Sequence, residues 1–205
     1  MRPQPIAIVS LEWDVVDLVE STGEYALHGF FDPAPRGATG ELRHLGPDTA
    51  WRDVLAGLPN LRIALALDHP QRKAALFEHY GADAIVTVRS PNAYISHRAA
   101  IGHGAILQRG VTIMPRARLG RACKVNVNGT IHHEAAIGDF CTLAPGALIL
   151  GEVNVGDRVY VGAGAIVRQR CSIGDDAFIG AGAVVVRDVP ANATVVGVPA
   201  TRRLR

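Results

Sequence analysis

The 205-residue sequence predicts a small parallel α/β domain followed by a parallel β-helix. Three observations carry that prediction. Strands alternate with helices up to about residue 90, every sixth residue from Ile95 to Val185 is aliphatic, and glycine follows that aliphatic position at 102, 120, 138, 156 and 174.

Within the first segment, "PIAIVS" reads as a buried strand, Trp13 to Ser21 as a helix, "YALHGFF" as a strand and Ala50 to Leu58 as a helix. "LRIALAL" reads as a third strand, His69 to His79 as a helix and "AIVTV" as a last strand. Apolar runs with strand and helix periods taken in turn argue for a parallel sheet. Ligands of such sheets dock beyond the carboxyl ends of the strands, which fall near Ser10 and Asp32. A glycine-rich phosphate turn is absent after the first strand, where "SLEW" stands, so dinucleotide binding is not expected.

From Ile95 to Val185, steps of six meet sixteen aliphatic residues without a miss, and the residue two before each is small or valine. No helix sustains a period of six, whereas short strands joined by repeated turns do. The glycine period of eighteen makes each coil three-sided. Cys123, Cys141 and Cys171 all occupy the small inward position and read as core packing, without CxxC spacing for a metal or redox pair. We expect domains at 1–90 and 91–205.

Composition narrows the function classes. With 48% hydrophobic residues the chain is globular, and a net charge of +2 with scattered arginines gives no footprint for nucleic acid. The first apolar run is too short for a signal peptide and nothing approaches a membrane span, so a cytoplasmic protein is expected. The terminal "TRRLR" reads as a solvated tail.

One stretch draws chemical interest. In "TIHHEAAIG" the repeat turns Ile131 and Ala135 inward, which leaves His132, His133 and Glu134 at the outside of the coil. A solvated turn or a subunit contact is the plain alternative to a reaction centre. Eighteen residues after His133 stands Gly151, whose bare backbone would lie beside the imidazole. A base near neutral pKa beside a backbone N–H matches what acyl transfer needs, and Glu134 would orient His133.

The aliphatic–glycine hexads resemble the hexapeptide-repeat acyltransferases, which implies a left-handed β-helix assembled as a trimer. More narrowly, residues 125 to 167, "IGAGAVVVRDVP" and the terminal "VVGVPA" resemble the bacterial sugar acyltransferases of the NeuD and PglD type. That resemblance implies acetyl-CoA as co-substrate, a nucleotide-linked amino sugar as acceptor and active sites between the subunits of a homotrimer. It implies His133 as general base, Glu134 as its partner, Asn126 near the acceptor sugar and the Gly151 amide facing the thioester. It further sets Gly162, Ala163, Gly180 and Ala181 along the pantetheine arm and Pro199 over the adenine; for these glycines and alanines a purely structural need of the hexads is an equal alternative. The sequence departs from the family in three places. "SLEW" stands in place of a glycine-rich loop with histidine, Thr142 stands where a second histidine is common, and the single acid Asp32 precedes "PAPRG" where a pair is frequent.

O-acetylation of a sugar or sialic acid uses the same base. A zinc hydratase would need ligands from His97, His103, His132 and His133, none of which stacks on another, so no metal is expected. A non-catalytic sugar-binding relative is the third class.

Overall fold

The computed structural model describes residues 3–34, 40 and 42–202. It opens with β1 (Gln4–Val9), α1 (Trp13–Thr22) and β2 (Tyr25–Phe31), then α2 (Trp51–Gly57), β3 (Arg62–Leu65) and α3 (Pro70–Tyr80). The strands form one parallel sheet in the order β2-β1-β3. β1 is apolar on both faces because helices cover both, and Ile6 to Val9 are wholly buried.

The expected last strand of this sheet does not form. Ile85 makes one bridge to Ile63, and Val88–Arg89 pairs instead with Ile106–Leu107 of the coils. The segment "AIVTV" thus leads from the sheet into the β-helix: Ala84 and Val86 keep hydrogen bonds with Ile63, and Val88 turns to the coils.

Each following coil lays one two-residue strand on each of three parallel sheets, called here the first, second and third faces. The first runs from Val88–Arg89 through Lys124–Val125, Thr142–Leu143 and Tyr160–Val161 to Thr194–Val196. Tyr94–Ile95 to Val184–Val185 form the second and Ala100–Ile101 to Ser172–Ile173 the third. Partners stand eighteen residues apart, such as Thr130 with Leu148. The aliphatic hexad positions make one continuous internal stack that also buries all three free cysteines.

Two features make the corners. A left-handed residue recurs every sixth position from Gly104 to Gly182, and nine of those fourteen are not glycine, Glu134 among them. This positive φ belongs to the fold, so Glu134 carries no strain peculiar to itself. The glycines at 102, 120 and 138 have ordinary φ but face the next coil so closely that an added Cβ would lie 2.4–2.5 Å from its nearest atom.

The α/β domain sits on the first face. Val88 and Ile106 point outward from the coil into the cluster that holds Ile6, Ile8 and Val19, while Ala122 and Phe140 join Phe77 and Ile85. Two lysines lock the domains together. Lys124 Nζ donates to Ala66 O at 2.7 Å and pairs with Asp68 Oδ1 at 3.0 Å, and Lys73 Nζ donates to Cys141 O and Thr142 Oγ1 at 3.0 and 2.8 Å. Burial, the main cause, lowers the Lys73 ammonium to a pKa of about 8, with the nearby Cys123 and Cys141 opposing it.

Candidate active site

His132, His133 and Glu134 turn the corner between the second and third faces, just after the strand Thr130–Ile131. His133 Nδ1 lies 3.2 Å from Glu134 Oε2, and Arg116 Nη1 lies 3.2 Å from Glu134 Oε1. An Nδ1–H donated to the carboxylate leaves Nε2 with a free lone pair. The imidazole is about half exposed. His132 packs edge-on against it, ring centres 4.9 Å apart.

Gly151 lies directly beneath this ring. A Cβ there would sit 2.6 Å from His133 Cε1 and 2.8 Å from Nε2, and the residue lacks the positive φ that would demand glycine for its backbone. The imidazole is therefore what requires glycine here. Among the described residues the Gly151 N–H donates to no acceptor, while its carbonyl accepts from Arg170 N at 3.1 Å. His132, His133, Gly151, Gln169 and Arg170 border an open cavity of about 360 Å³. A base and a free amide donor thus share one opening.

The other predicted residues lie elsewhere. Gly162, Ala163, Gly180 and Ala181 occupy the corner between the first and second faces, and Pro199 lies on the tail that returns past Val184. At Gly162 and Gly180 an added Cβ would strike the next rung within 2.5 and 2.7 Å, so close stacking of coils accounts for both glycines. Ala163 and Ala181, one coil apart, are both exposed at this corner.

Asn126 and Thr142 belong to the junction between domains. Asn126 is buried, and its amide donates to Leu143 O at 3.1 Å and Asp68 Oδ1 at 3.3 Å. Thr142 is fully buried; its hydroxyl accepts from Lys73 and donates to Asp68 O at 2.7 Å. Without rearrangement Thr142 offers no atom to a ligand.

Ser10 and Asp32 border a second groove of about 440 Å³ with Leu11, Glu12 and Arg72. Ser10 has φ +67, so it holds the left-handed turn that a glycine would ordinarily make after β1. Residues 35–39, which follow Asp32 in "PAPRG", lie outside the described residues, as do residues 203–205 of the tail.

The sheet order adds a residue that sequence reasoning missed. With β1 between β2 and β3, the crevice where the connections diverge opens beside Glu12 and Asp68. Burial raises the Glu12 carboxyl above its usual pKa, Asp68 and Asp14 add to the rise, and Lys124 opposes it. The acid that directly follows "LRIALAL" was the available signal for Asp68.

Among the described residues no group of three His, Cys, Asp or Glu side chains could hold a metal ion. His103 turns to Ala82 O at a different corner from His133. No described helix is long and apolar enough to cross a membrane.

This architecture has known counterparts. The acetyltransferase domain of PglB from Neisseria gonorrhoeae FA1090 superposes with a TM-score of 0.91 over 98% of this chain and 100% of its own, at 25% identity. PerB from Caulobacter crescentus, solved with CoA and GDP-perosamine, gives 0.85 over 98% and 97% at 27% identity. WeeI from Acinetobacter baumannii AYE gives 0.87 over 97% and 99% at 25% identity. The chain has the hexapeptide-repeat acetyltransferase fold. Residues 152–187 also match the family described as bacterial transferase hexapeptide (six repeats). No curated protein matches the sequence. The coils of the acetyltransferase fold are left-handed, and the α/β domain is shared along with them.

Proposed function

We propose that the protein is an acetyl-CoA-dependent N-acetyltransferase acting on a nucleotide-linked amino sugar. Supporting this, the PglB domain has been solved with acetyl coenzyme A and PerB with CoA and GDP-perosamine, and both share the fold from end to end. The observation that carries the reading in this chain is the His133 ring seated over Gly151, whose amide has no acceptor among the described residues.

In the proposed step His133 Nε2 takes a proton from the acceptor amine as its nitrogen attacks the thioester carbonyl. The Gly151 N–H donates to the oxygen that becomes negative, the C–S bond breaks, and CoA leaves as thiolate to be protonated. Glu134 stabilises the imidazolium.

Residues 1–90 would recognise the acceptor and residues 91–205 would perform the transfer, in the cytoplasm where acetyl-CoA is available. One chain cannot bring the two together. The α/β domain covers the first face, whereas His133 projects from the opposite corner, between the second and third. A second copy would have to present its first–second corner, with Gly162 and Ala163, to this histidine. Outward on the second face Leu148, Ile166 and Val184 follow one another as an apolar row suited to subunit packing, with Thr112 and Thr130 between them and Tyr94. A homotrimer with active sites between subunits meets both needs, and light scattering that finds a monomer would remove it.

The test of activity is thiol release from acetyl-CoA with a panel of UDP-, dTDP- and GDP-linked 4-amino sugars. His133→Ala is expected to lower turnover by about a hundredfold to ten-thousandfold. Acetylation of a hydroxyl with no reaction at any amine would favour the O-acetyltransferase reading.

A further inference from the structure

The opening beside His133 has sides of unequal polarity. The imidazole lies on one side of Gly151, and one coil on lies the exposed amide of Gln169. Toward the third face stand Glu152 and Arg170, bound to each other at 3.1 and 3.3 Å. Toward the second face stand His132 and, one coil above it, the half-buried Leu150. Of the residues that border this opening, Leu150 alone carries a hydrocarbon side chain.

Leu150 is also fixed next to the proposed reacting carbonyl. It forms the peptide bond to the Gly151 nitrogen, that bond is trans, and its own N–H is held by Val167 O at 3.0 Å. In a trans peptide the N–H points to the same side as the preceding α-carbon. An acyl oxygen held about 2.9 Å from the Gly151 nitrogen therefore lies about 3.6 Å from the Leu150 α-carbon.

We propose that Leu150 closes the acyl end of the thioester site and restricts the donor to acetyl-CoA, excluding longer acyl groups. The inference rests on the acetyltransfer reading and deepens it by naming what sets the acyl length. Polarity assigns the two ends of the thioester. The sulfur leaves as a thiolate and belongs beside the donors that Gln169 and Arg170 supply, whereas the acyl hydrocarbon belongs against the one hydrocarbon wall. That wall also borders the face a neighbouring copy would cover. Leu150 directly follows Leu148 of the apolar row with Ile166 and Val184, so subunit packing on the second face leaves a longer chain no route past it.

The test compares acetyl-, propionyl- and butyryl-CoA as donors in the native protein, Leu150→Ala and Leu150→Val, with light scattering and unfolding midpoints recorded for each. The native kcat/KM for acetyl-CoA should exceed that for butyryl-CoA about a hundredfold, and Leu150→Ala should lower this ratio about tenfold or more. Leu150→Val, one carbon smaller, reads the same change on propionyl-CoA should Leu150→Ala not fold. A native protein that uses butyryl-CoA as well as acetyl-CoA, or a folded variant that keeps the native ratio, would overturn the assignment. If no amine acceptor releases thiol, the acetyltransfer reading fails separately, and donor binding by titration calorimetry decides. Acetyl-CoA bound about tenfold more tightly than butyryl-CoA, with the gap closed in the variant, supports the wall. Equal affinity for the two in the native protein, a gap that the variant keeps, or no binding of either, ends it.

Discussion

Two corners of the same prism share one backbone turn and put it to different uses. At the corner between the third and first faces, the turn is filled with bonds. Asp139 Oδ1 accepts from Arg121 N at 2.7 Å, Asp157 Oδ1 from Asp139 N at 2.8 Å and Asp175 Oδ1 from Asp157 N at 3.0 Å. At the corner of His133, the equivalent space holds an imidazole and an amide with no partner among the described residues. Since the turn conformation is common to both, what distinguishes structure from chemistry is whether the side chain satisfies its neighbour or leaves it open.

Glycine substitutions should separate the corners most sharply. Gly138→Ala would drive a methyl to within 2.6 Å of the Gly156 backbone and is expected to cost about 3 kcal/mol or more in urea unfolding. Gly151→Ala meets only the His133 ring, a side chain that can swing outward. Its stability should change by less than about 1 kcal/mol while thiol release falls about a hundredfold. Equal destabilisation by both would mean that His133 is locked in place, and the comparison would lose its basis.

The bonded corner also anchors the α/β domain, and there a pH dependence is expected. Lys73, held at a pKa of about 8 by burial beside Cys141 and Thr142, would keep its proton up to about 10.5 when unfolded. Between those values the unfolded state binds more protons, so stability rises with pH, by at most about 3 kcal/mol. Lys73→Met should abolish most of that rise when denaturant midpoints are followed from pH 7.5 to 10.5. A native protein whose midpoint falls steadily over this range would contradict the assignment.

Removing one rung of the aspartate ladder should have a smaller effect. Asp157→Ala leaves the Asp139 N–H without its acceptor and is expected to cost about 1–2 kcal/mol with kcat unchanged. The ladder also explains the Asp139 carboxyl. Burial pushes its pKa up, yet the Arg121 hydrogen bonds and charge outweigh this and hold it below the usual value.

How much of this was legible in the sequence differs by level. The coil register was, because an inward aliphatic at every sixth position is a constraint on each hexad separately. Glu134 and Phe140 could not be read as left-handed, since the pairing of successive rungs imposes that conformation on side chains that do not favour it. The pairing of His133 with Gly151 followed from the period of eighteen, although only the structure shows that the ring itself demands the glycine. Lys124 and Lys73 gave no local signal of their roles, because those arise when the two domains dock. Ser10 hid a preserved turn behind an altered loop, and "AIVTV" had the composition of a sheet strand but found its partner in the coils.

The smallest expected effect concerns Arg116, which touches the outer oxygen of Glu134 at 3.2 Å with 73% of its side chain exposed. Such a pair is screened by water and contributes about 0–1 kcal/mol, so Arg116→Ala should leave the unfolding midpoint nearly unchanged. Glu134 itself matters more to the proposed reaction, because its carboxylate holds His133 Nδ1–H and leaves Nε2 free to take the proton. Glu134→Gln should therefore lower kcat about tenfold with the unfolding midpoint nearly unchanged, whereas Arg116→Ala should leave kcat within about twofold. Equal losses of kcat in the two variants, or none in either, would place the group that orients His133 elsewhere.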